Sequence, residues 1–382
     1  MILGDIGAEL ARAIDAAIAD GELPAAAQAR SSAAGTWRPA PAQAGGGPRT
    51  YATSLPFGLA AATGRDAAAV AAVLAARLRP VSWIADASVT GDGYLTVAVT
   101  ADTLASLAVR VTQAGDRCAD STALAGAGRS VPAGASLAGA ATWLQAWQLV
   151  TDAATGRLAA AAGAKVNFKT DPERAVGASP AAPGGQSGGG PGAGGAEPDP
   201  AGPAGAESGS VAAAVAFAGA DAIRYALVRV RTGRAVRIDA GASVKQVLGN
   251  PFFAVCFSHA DAVSMLRWAD DLGLSRGTPD DFVPSLLALA PEQRLLSAIS
   301  WLPERAAGAA RRGQPHEFAR YLEDLAGAYL DCRGSCPALP FLGSSAPRTA
   351  AGIRARLWLT SAAAAALGTG LRLLGIDPPD RV

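Results

Sequence analysis

The sequence predicts a multidomain protein with an N-terminal α+β domain, a fragment of an α/β sheet and a C-terminal all-α helical bundle. Three observations carry this prediction. Apolar residues recur at four-residue steps near the start of the chain, a Gly/Pro-rich tract interrupts its middle, and prolines punctuate a series of helix-like segments in its last third. At 382 residues the chain is long enough for two or three domains, and 50% of its residues are hydrophobic, which supplies apolar surface for folded cores.

The first predicted domain spans residues 1–113 and combines helices with a small sheet. Isoleucine or leucine at every fourth position from Ile2 to Ile18 places one apolar stripe on a helix over 2–20, and a second helix is predicted over 54–78. The segments VSWIADASV and YLTVAVT flank TGDG, a sequence typical of a turn between antiparallel strands. We therefore interpret the GDG at 91–93 as a hairpin turn and not as a phosphate-binding loop.

The middle of the chain predicts a small remnant of a sheet on either side of a linker. Residues 114–173 show a strand–helix–strand pattern, with the helix over 137–162 and the second strand in AKVNF. Residues 174–210 are rich in Gly, Pro and Ala, lack aromatic residues, and predict a disordered linker. Residues 211–242 predict one helix, VAAAVAFAGADAIRYALVRV, followed by a short extended piece, AVRIDA.

The last predicted domain, residues 243–382, is helical throughout. Prolines at positions 279, 284, 291, 303 and 315 mark helix starts or breaks. The predicted helices cover residues 243–273, 279–288, 291–311, 314–334 and 350–374.

Charge and cysteine content restrict the class of partner and the compartment. The formal net charge is +1, so the chain has no large positive field for nucleic acid or anionic lipid, and any RNA contact must depend on locally placed arginines. The four cysteines form no CxxC pair, and Asp5 and Glu9 interrupt the only candidate leader, which predicts a cytoplasmic protein. The apolar run LTSAAAAALGTGLRLLGI carries Arg372 and is short, so no membrane segment is predicted, and no DNA partner is expected.

Several segments of the C-terminal half share residues with one family. The stretch that begins GADAIRYALVRV and continues through IDAGAS to NPFFAVCFSHADAV resembles the arginyl-tRNA synthetase pattern GADALRYFLLS…LDFDLDLA…NPVYYVQYAHAR. The segments PHEFARYLEDLAGAYLDCRGSC and LGTGLRLLGIDPPDRV are similar to that family's DALR bundle, which binds the anticodon. The positions that match in the first stretch are Gly219, Asp221, Arg224, Tyr225, Asp239, Asn250, Pro251, Val255, His259 and Ala260.

The N-terminal segment carries a third match in the expected order. YATSLPFGLAAATG and GYLTV are similar to the family's tRNA-elbow-binding domain, whose pattern is GDYATNLALxLA followed by GFINF. The resemblance thus implies an elbow-binding domain, a degenerate class I synthetase-like sheet fragment, and a DALR bundle. Its implied partner is a tRNA, with arginine tRNA as the candidate that the family suggests.

The resemblance also has departures that bear on catalysis. The family needs an HxGH signature for adenylate formation, and the corresponding positions 133–136 contain no histidine. His259 and His316 are the only histidines, and Lys165, Lys169 and Lys245 lie in no KMSK-like loop. Most of the central sheet of the family is absent. The leading hypothesis is a non-catalytic tRNA-binding protein without a cofactor; the alternatives are an ATP-dependent arginine–tRNA ligase and a protein–protein adaptor that has lost RNA binding.

The candidate site residues follow from the resemblance, and none is assigned to catalysis or to a metal. Some of them have a simpler interpretation: His259 as an interior hydrogen-bonded histidine, the phenylalanines as core, and Arg311 and Arg312 as solvated residues at a helix end. Cys332 and Cys336, four residues apart, are interpreted as buried thiols. The implied tRNA contacts are Arg49, Tyr51, Thr53, Arg311, Arg312, Arg320, Arg333, Arg381 and Val382, and the implied hinge at the acceptor end comprises Asn250, Phe253, Phe257 and His259.

Overall fold

The computed structural model describes residues 2–28, 37–39, 47, 49–132, 136–169, 209–339 and 349–381, and the statements that follow concern these residues. The predicted linker over 174–210 lies outside them except for Gly209 and Ser210. Two further places also lie outside them: positions 133–135, where the resemblance places the missing HxGH signature, and Val382.

The N-terminal region packs helices against a four-stranded antiparallel sheet. The strand order is β1-β2-β4-β3, so the predicted hairpin is the edge of a larger sheet. The hairpin itself is confirmed: its strands pair up to Thr90 and Tyr94, and Gly91 and Gly93 in the turn adopt positive φ angles of 57° and 129°. The elements are α1 (Ile2–Ala19), α2 (Leu55–Thr63), α3 (Ala67–Leu78), α4 (Ala101–Ala105), α5 (Leu107–Ala114), β1 (Trp37–Pro39), β2 (Thr50–Thr53), β3 (Ile84–Thr90) and β4 (Tyr94–Val99).

The single helix predicted over 54–78 is wrong, because the structure has two helices, α2 and α3, that meet at 119°. Gly64 ends α2 in the left-handed conformation, with φ of 65°. Asp66 then begins α3, since its side chain accepts a hydrogen bond from the backbone N–H of Ala69 at 3.0 Å. The segment TGRD at 63–66 carries a signal for this break, a glycine that ends one helix and an aspartate that begins the next, which apolar periodicity does not register.

The strand–helix–strand pattern of the middle region is present. Strands β5 (Gly128–Pro132) and β6 (Lys165–Lys169) pair in parallel, and α6 (Trp143–Ala161) connects them. The helix begins six residues later than predicted, because Thr142 caps it by accepting from the N–H of Gln145.

The segment after the linker differs from its prediction in the helix, whereas the predicted extended piece is non-helical as expected. It forms two helices, α7 (Val211–Ala218) and α8 (Ala220–Val228), that meet at 118° at Gly219, whose φ is 84°. The extended piece at 235–239 joins no strand ladder among the described residues. It leads instead into one helical turn, α9 (Ala240–Ser243), capped by Asp239.

The C-terminal region is the predicted helical bundle with corrected boundaries. Asn250 begins its first helix, the predicted helix over 279–288 is reduced to two 3₁₀ turns, and the one predicted over 291–311 breaks at Trp301, just before Pro303. The bundle helices are α10 (Pro251–Asp271), α11 (Ala290–Ser300), α12 (Leu302–Arg312), α13 (Pro315–Ser335) and α14 (Ala350–Leu374).

Helix α14 is the centre of the molecule. It is the one described single helix long and apolar enough to cross a membrane, but 78% of its most apolar window is buried inside the fold. It packs against α10 and α13 of the bundle and against α5 and α6 of the preceding regions. Its apolar character is therefore accounted for by burial within the protein.

The N-terminal sheet also contacts the bundle directly. Tyr51 of β2 donates a hydrogen bond to Ser300 Oγ at 2.9 Å, and its ring lies 5.5 Å from that of Trp301. Near the end of α14, Cys118 contacts Thr369, and Arg372 pairs with Asp116. One continuous apolar core consequently joins the N-terminal region to the bundle.

Close approach of α13 and α14 depends on Gly370. A Cβ at this position would overlap Leu322 Cδ2 and lie 3.1 Å from Cδ1, and Leu322 is fully buried. Gly327, in the exposed face of α13, has no atom within 4 Å of such a Cβ.

We expect Gly370→Ala to be less stable to urea than Gly327→Ala by about 1–3 kcal/mol. Both substitutions gain the same helix propensity, and only the first overpacks the core. Equal unfolding free energies for the two variants would contradict this helix contact.

Candidate functional site

Tyr51 and Thr53, two of the predicted N-terminal RNA contacts, lie in the interior. Both are fully buried, and Thr53 Oγ1 accepts a hydrogen bond from the N–H of Leu55 at 3.1 Å. Burial raises the pKa of Tyr51 to about 12, so its phenol stays protonated and serves as a donor to the bundle. Of the predicted group, only the half-buried Arg49 has a side chain near the surface. These placements correct the prediction for Tyr51 and Thr53, which join the two regions rather than facing RNA.

The four hinge residues separate into structural and partly exposed groups. Asn250 caps α10 by accepting from the N–H of Phe252, and its Nδ2 donates to the carbonyls of Ser243 and Lys245 at 3.0 and 2.8 Å. Phe253 and Phe257 stack with ring centroids 5.7 Å apart, and both are half-buried. This pair is the part of the predicted hinge that a ligand can reach.

His259 has the interior position that its simpler interpretation describes. It is buried, and its Nδ1 lies 2.9 Å from the carbonyl oxygen of Pro379. Burial lowers the pKa of His259, so the ring is neutral at physiological pH and donates through Nδ1 to that carbonyl. His259 thereby holds the C-terminal segment against α10.

Two of the predicted cationic contacts are held in ion pairs. Arg333 Nε lies 2.6 Å from Oδ2 of the buried Asp261, and Tyr329 donates to the same oxygen at 2.7 Å. Arg312 pairs with Glu317, with Nε 3.0 Å from Oε2. Arg333 thus compensates a buried carboxylate, which is a structural role that its position in the sequence did not reveal.

A cluster of arginines forms where α12 ends and α13 begins, and we call it the basic end. It comprises Arg231, Arg311, Arg312 and Arg320. All four are exposed, and within the described residues only Arg312 has an ion-pair partner. Arg231 belongs to the loop after α8, and it was missed because a long stretch of sequence separates it from the others.

His316 lies within the basic end, and the charges around it shift its pKa. Burial lowers the pKa of His316, Glu317 opposes that shift, and the positive charges of Arg320, Arg231 and Arg312 lower it further. The ring is therefore neutral at physiological pH, and the charge of the basic end comes from its guanidinium groups alone.

Arg381 is separated from the basic end. The C-terminal segment runs along α10 from His259 towards Arg267, whose Nη2 donates to the carbonyl of Asp380 at 3.0 Å. That part of α10 adjoins the second half of α13, where Asp261 meets Arg333. Since α13 has 21 residues, its two ends are about 30 Å apart. The predicted contacts thus form two groups, with Arg311, Arg312 and Arg320 in one and Arg333 and Arg381 in the other.

The thiols at the end of α13 are buried, as the sequence predicted. Burial raises the pKa of Cys332 to about 12 and also raises that of Cys336. No group of three or more His, Cys, Asp or Glu side chains within the described part of the chain is arranged to hold a metal ion.

Comparison with known proteins relates the bundle to one family. Residues 255–382 match the family model of the DALR anticodon binding domain. The arginine–tRNA ligase of Kineococcus radiotolerans is 37% identical over 164 residues, which cover 43% of this chain and 29% of that protein. The Frankia alni arginine–tRNA ligase is 38% identical over 165 residues, again 43% of this chain and 29% of the relative. The chain thus spans less than a third of the length of these relatives.

Solved structures of the same class show a partial likeness. The Thermus thermophilus arginyl-tRNA synthetase aligns with a TM-score of 0.36 and 21% identity, covering 66% of this chain and 34% of that one. The Plasmodium falciparum arginyl-tRNA synthetase aligns with a TM-score of 0.36 and 16% identity, covering 45% of this chain and 28% of that one.

The pair between Arg333 and Asp261 can be tested against a neighbouring arginine on the same helix. We expect Arg333→Ala to lower the free energy of unfolding by about 1–2 kcal/mol, because it leaves a buried carboxylate without its cation. Arg320→Ala removes an exposed guanidinium that forms no ion pair with the described residues, and it should change the free energy by less than about 0.5 kcal/mol. Urea denaturation measures both, and similar losses in the two variants would reject the structural role of Arg333.

Proposed function

We propose that this chain, whose C-terminal half carries a DALR anticodon-binding domain homologous to that of arginine–tRNA ligases, binds tRNA without charging it. The basic end of the bundle is the observation that carries the proposal. It brings Arg231, from a distant segment, close to Arg312 and Arg320 around His316, with Arg311 next to Arg312 along α12, although the whole chain has a net charge of only +1. Such a local concentration of cations suits the phosphates of a folded RNA.

The positions of the two histidines support the non-catalytic part of the proposal. His259 is committed to the C-terminal segment and His316 lies inside the basic end, so neither is available to a signature of the HxGH type. Adenylate formation in the resembled family depends on such preorganised groups around the reacting phosphate. The homologues are themselves ligases, and for that reason ligase activity is the alternative that experiment must test first.

A protein-binding role is the second candidate, and one surface favours it. Trp268 and Leu272, near the end of α10, are 51% and 60% exposed and border a groove of about 600 Å³. The groove is lined mainly by apolar side chains and lies at the end of the bundle opposite to the basic end. An adaptor would use this groove, whereas a tRNA-binding protein would use the arginines.

We expect that the purified chain, with tRNA present, neither exchanges pyrophosphate into ATP in an arginine-dependent way nor charges tRNA with arginine. The signature imidazoles that stabilise the transition state in the resembled enzymes have no counterpart here. A full-length arginine–tRNA ligase at equal concentration serves as the positive control. Exchange that requires arginine and scales with the concentration of this protein would establish the ligase alternative.

We expect the chain to bind tRNA weakly, with an affinity that falls steeply as salt rises. Four phosphate contacts, each contributing about 0.7–0.9, imply a slope of about −3 to −4 in a plot of log affinity against log salt. Combining Arg231→Ala with Arg320→Ala should reduce the magnitude of this slope by about 1.5–2. The matched control is Arg294→Ala, an exposed arginine whose charge acts on Cys336 at the other end of the bundle.

The measurement is a titration of labelled tRNA by each protein at several salt concentrations. A slope that is unchanged in the double variant, or reduced equally by Arg294→Ala, would reject the basic end as the tRNA surface. Absence of binding at low salt would favour the adaptor.

A further inference from the structure

A second surface feature lies between the sheet remnant and the bundle, and we call it the hinge pocket. It is an open pocket of about 520 Å³ bounded by α8, by α9 with its flanking loops, and by the start of α10. Its volume falls within the range of ordinary small-molecule sites. The side chains that give the pocket its chemical character are Tyr225, Arg229, Arg237, Asp239, Lys245 and Phe252.

The hinge pocket contains two cations that the fold does not use. Arg237 and Lys245 are exposed, and neither forms an ion pair within the part of the chain that the structure describes. Arg229, by contrast, is neutralised by Glu323, with Nε 2.7 Å from Oε1. Asp239 is the one carboxylate among the lining residues, and its Oδ1 already accepts from the N–H of Ala242 at 2.9 Å. The lining is therefore left with an excess of positive charge.

The start of α10 adds to this potential. Asn250 and Pro251, the first residues of this 21-residue helix, line the pocket. The N-terminal end of a helix carries a partial positive charge, which stabilises a nearby anion. The unpaired cations and the N-terminal end of the helix both favour binding of an anionic ligand in the pocket.

Two aromatic side chains, Phe252 and Tyr225, line the pocket next to these cations. Phe252 is half-buried and packs 5.7 Å from the ring of Tyr225. Tyr225 is fixed in turn, because its hydroxyl donates to Glu323 Oε1 at 3.2 Å and lies 3.3 Å from the carbonyl oxygen of Ala319. A ring held in this way is a rigid surface against which a planar heterocycle can pack.

We propose that the hinge pocket binds a nucleoside phosphate, with its base against Phe252 and its phosphate between Arg237 and Lys245. Two sources carry this chemistry: a free mononucleotide, and an unpaired nucleotide within RNA. The pocket is independent of the proposed tRNA surface, because that surface consists of Arg231 and the bundle arginines, none of which lines the hinge pocket.

The test titrates the full chain with AMP, with UMP, with inorganic phosphate and with a single-stranded five-nucleotide RNA, using calorimetry at low salt. The variants are Arg237→Ala, Lys245→Ala and Phe252→Leu, and their folding is checked by thermal unfolding. Arg234→Ala is the matched control, because Arg234 is exposed in the same loop as Arg237, has no ion pair in the described structure, and does not line the pocket.

We expect Arg237→Ala and Lys245→Ala each to weaken binding about three- to tenfold and Arg234→Ala to weaken it less than about twofold. Phe252→Leu should weaken nucleotide binding at least about fivefold, and inorganic phosphate should bind more weakly than AMP. Binding of AMP or UMP identifies a free nucleotide as the ligand. Binding of the RNA alone, with the same dependence on Arg237, identifies an unpaired nucleotide of RNA.

Two results would overturn the proposal. One is the absence of binding by every probe at millimolar concentration, and the other is an equal effect of Arg234→Ala and Arg237→Ala. If Phe252→Leu does not fold, the two charge variants and the comparison of AMP with inorganic phosphate still decide the question.

Discussion

The burial of α14 is the constraint on which the rest of the structure depends. This helix of 25 residues is apolar on nearly all of its faces, so an exposed face would place a large apolar surface in water. The fold covers one side with bundle helices and another with α5 and α6. The charged residues of α14 lie near its ends, where Arg356 pairs with the buried Glu292 and Arg372 pairs with Asp116. The N-terminal region and the bundle are consequently fixed to each other through this shared helix, in addition to the direct contact of Tyr51 with Ser300.

Several arginines hold this arrangement together by forming ion pairs. Arg333 and Arg356 compensate buried carboxylates, and Arg229 joins the segment before the bundle to α13 through Glu323. Other guanidinium groups, such as those of Arg231, Arg237 and Arg320, form no ion pair within the described residues. A nearly neutral protein can therefore present a local anion-binding surface, because the net charge says little about which cations are free.

The sequence predicted the type of most elements and failed mainly at their breaks. Periodic apolar patterns located the helices, but they did not register the sharp bends at Gly64 and Gly219, where a glycine followed closely by an aspartate marks the break. Resemblance located the bundle, and the match over residues 255–382 confirms it. It could not show that Tyr51 is buried, because that burial comes from tertiary packing against the bundle, where its hydroxyl meets Ser300, 249 residues away. For the same reason the sequence could not show that Arg231 belongs to the basic end, since tertiary folding alone brings it close to α13.

The contacts of α14 also determine when the protein can complete its fold during synthesis. Asp116 and Thr112 near the N-terminal sheet meet Arg372 and Trp358, partners that the ribosome adds 256 and 246 residues later. Until those residues emerge, the apolar faces of α5 and α6 remain without their cover and are open to association with other chains. The nascent chain therefore passes through a long interval in which these faces lack their partner helix, and a chain that terminates before residue 350 would keep them exposed.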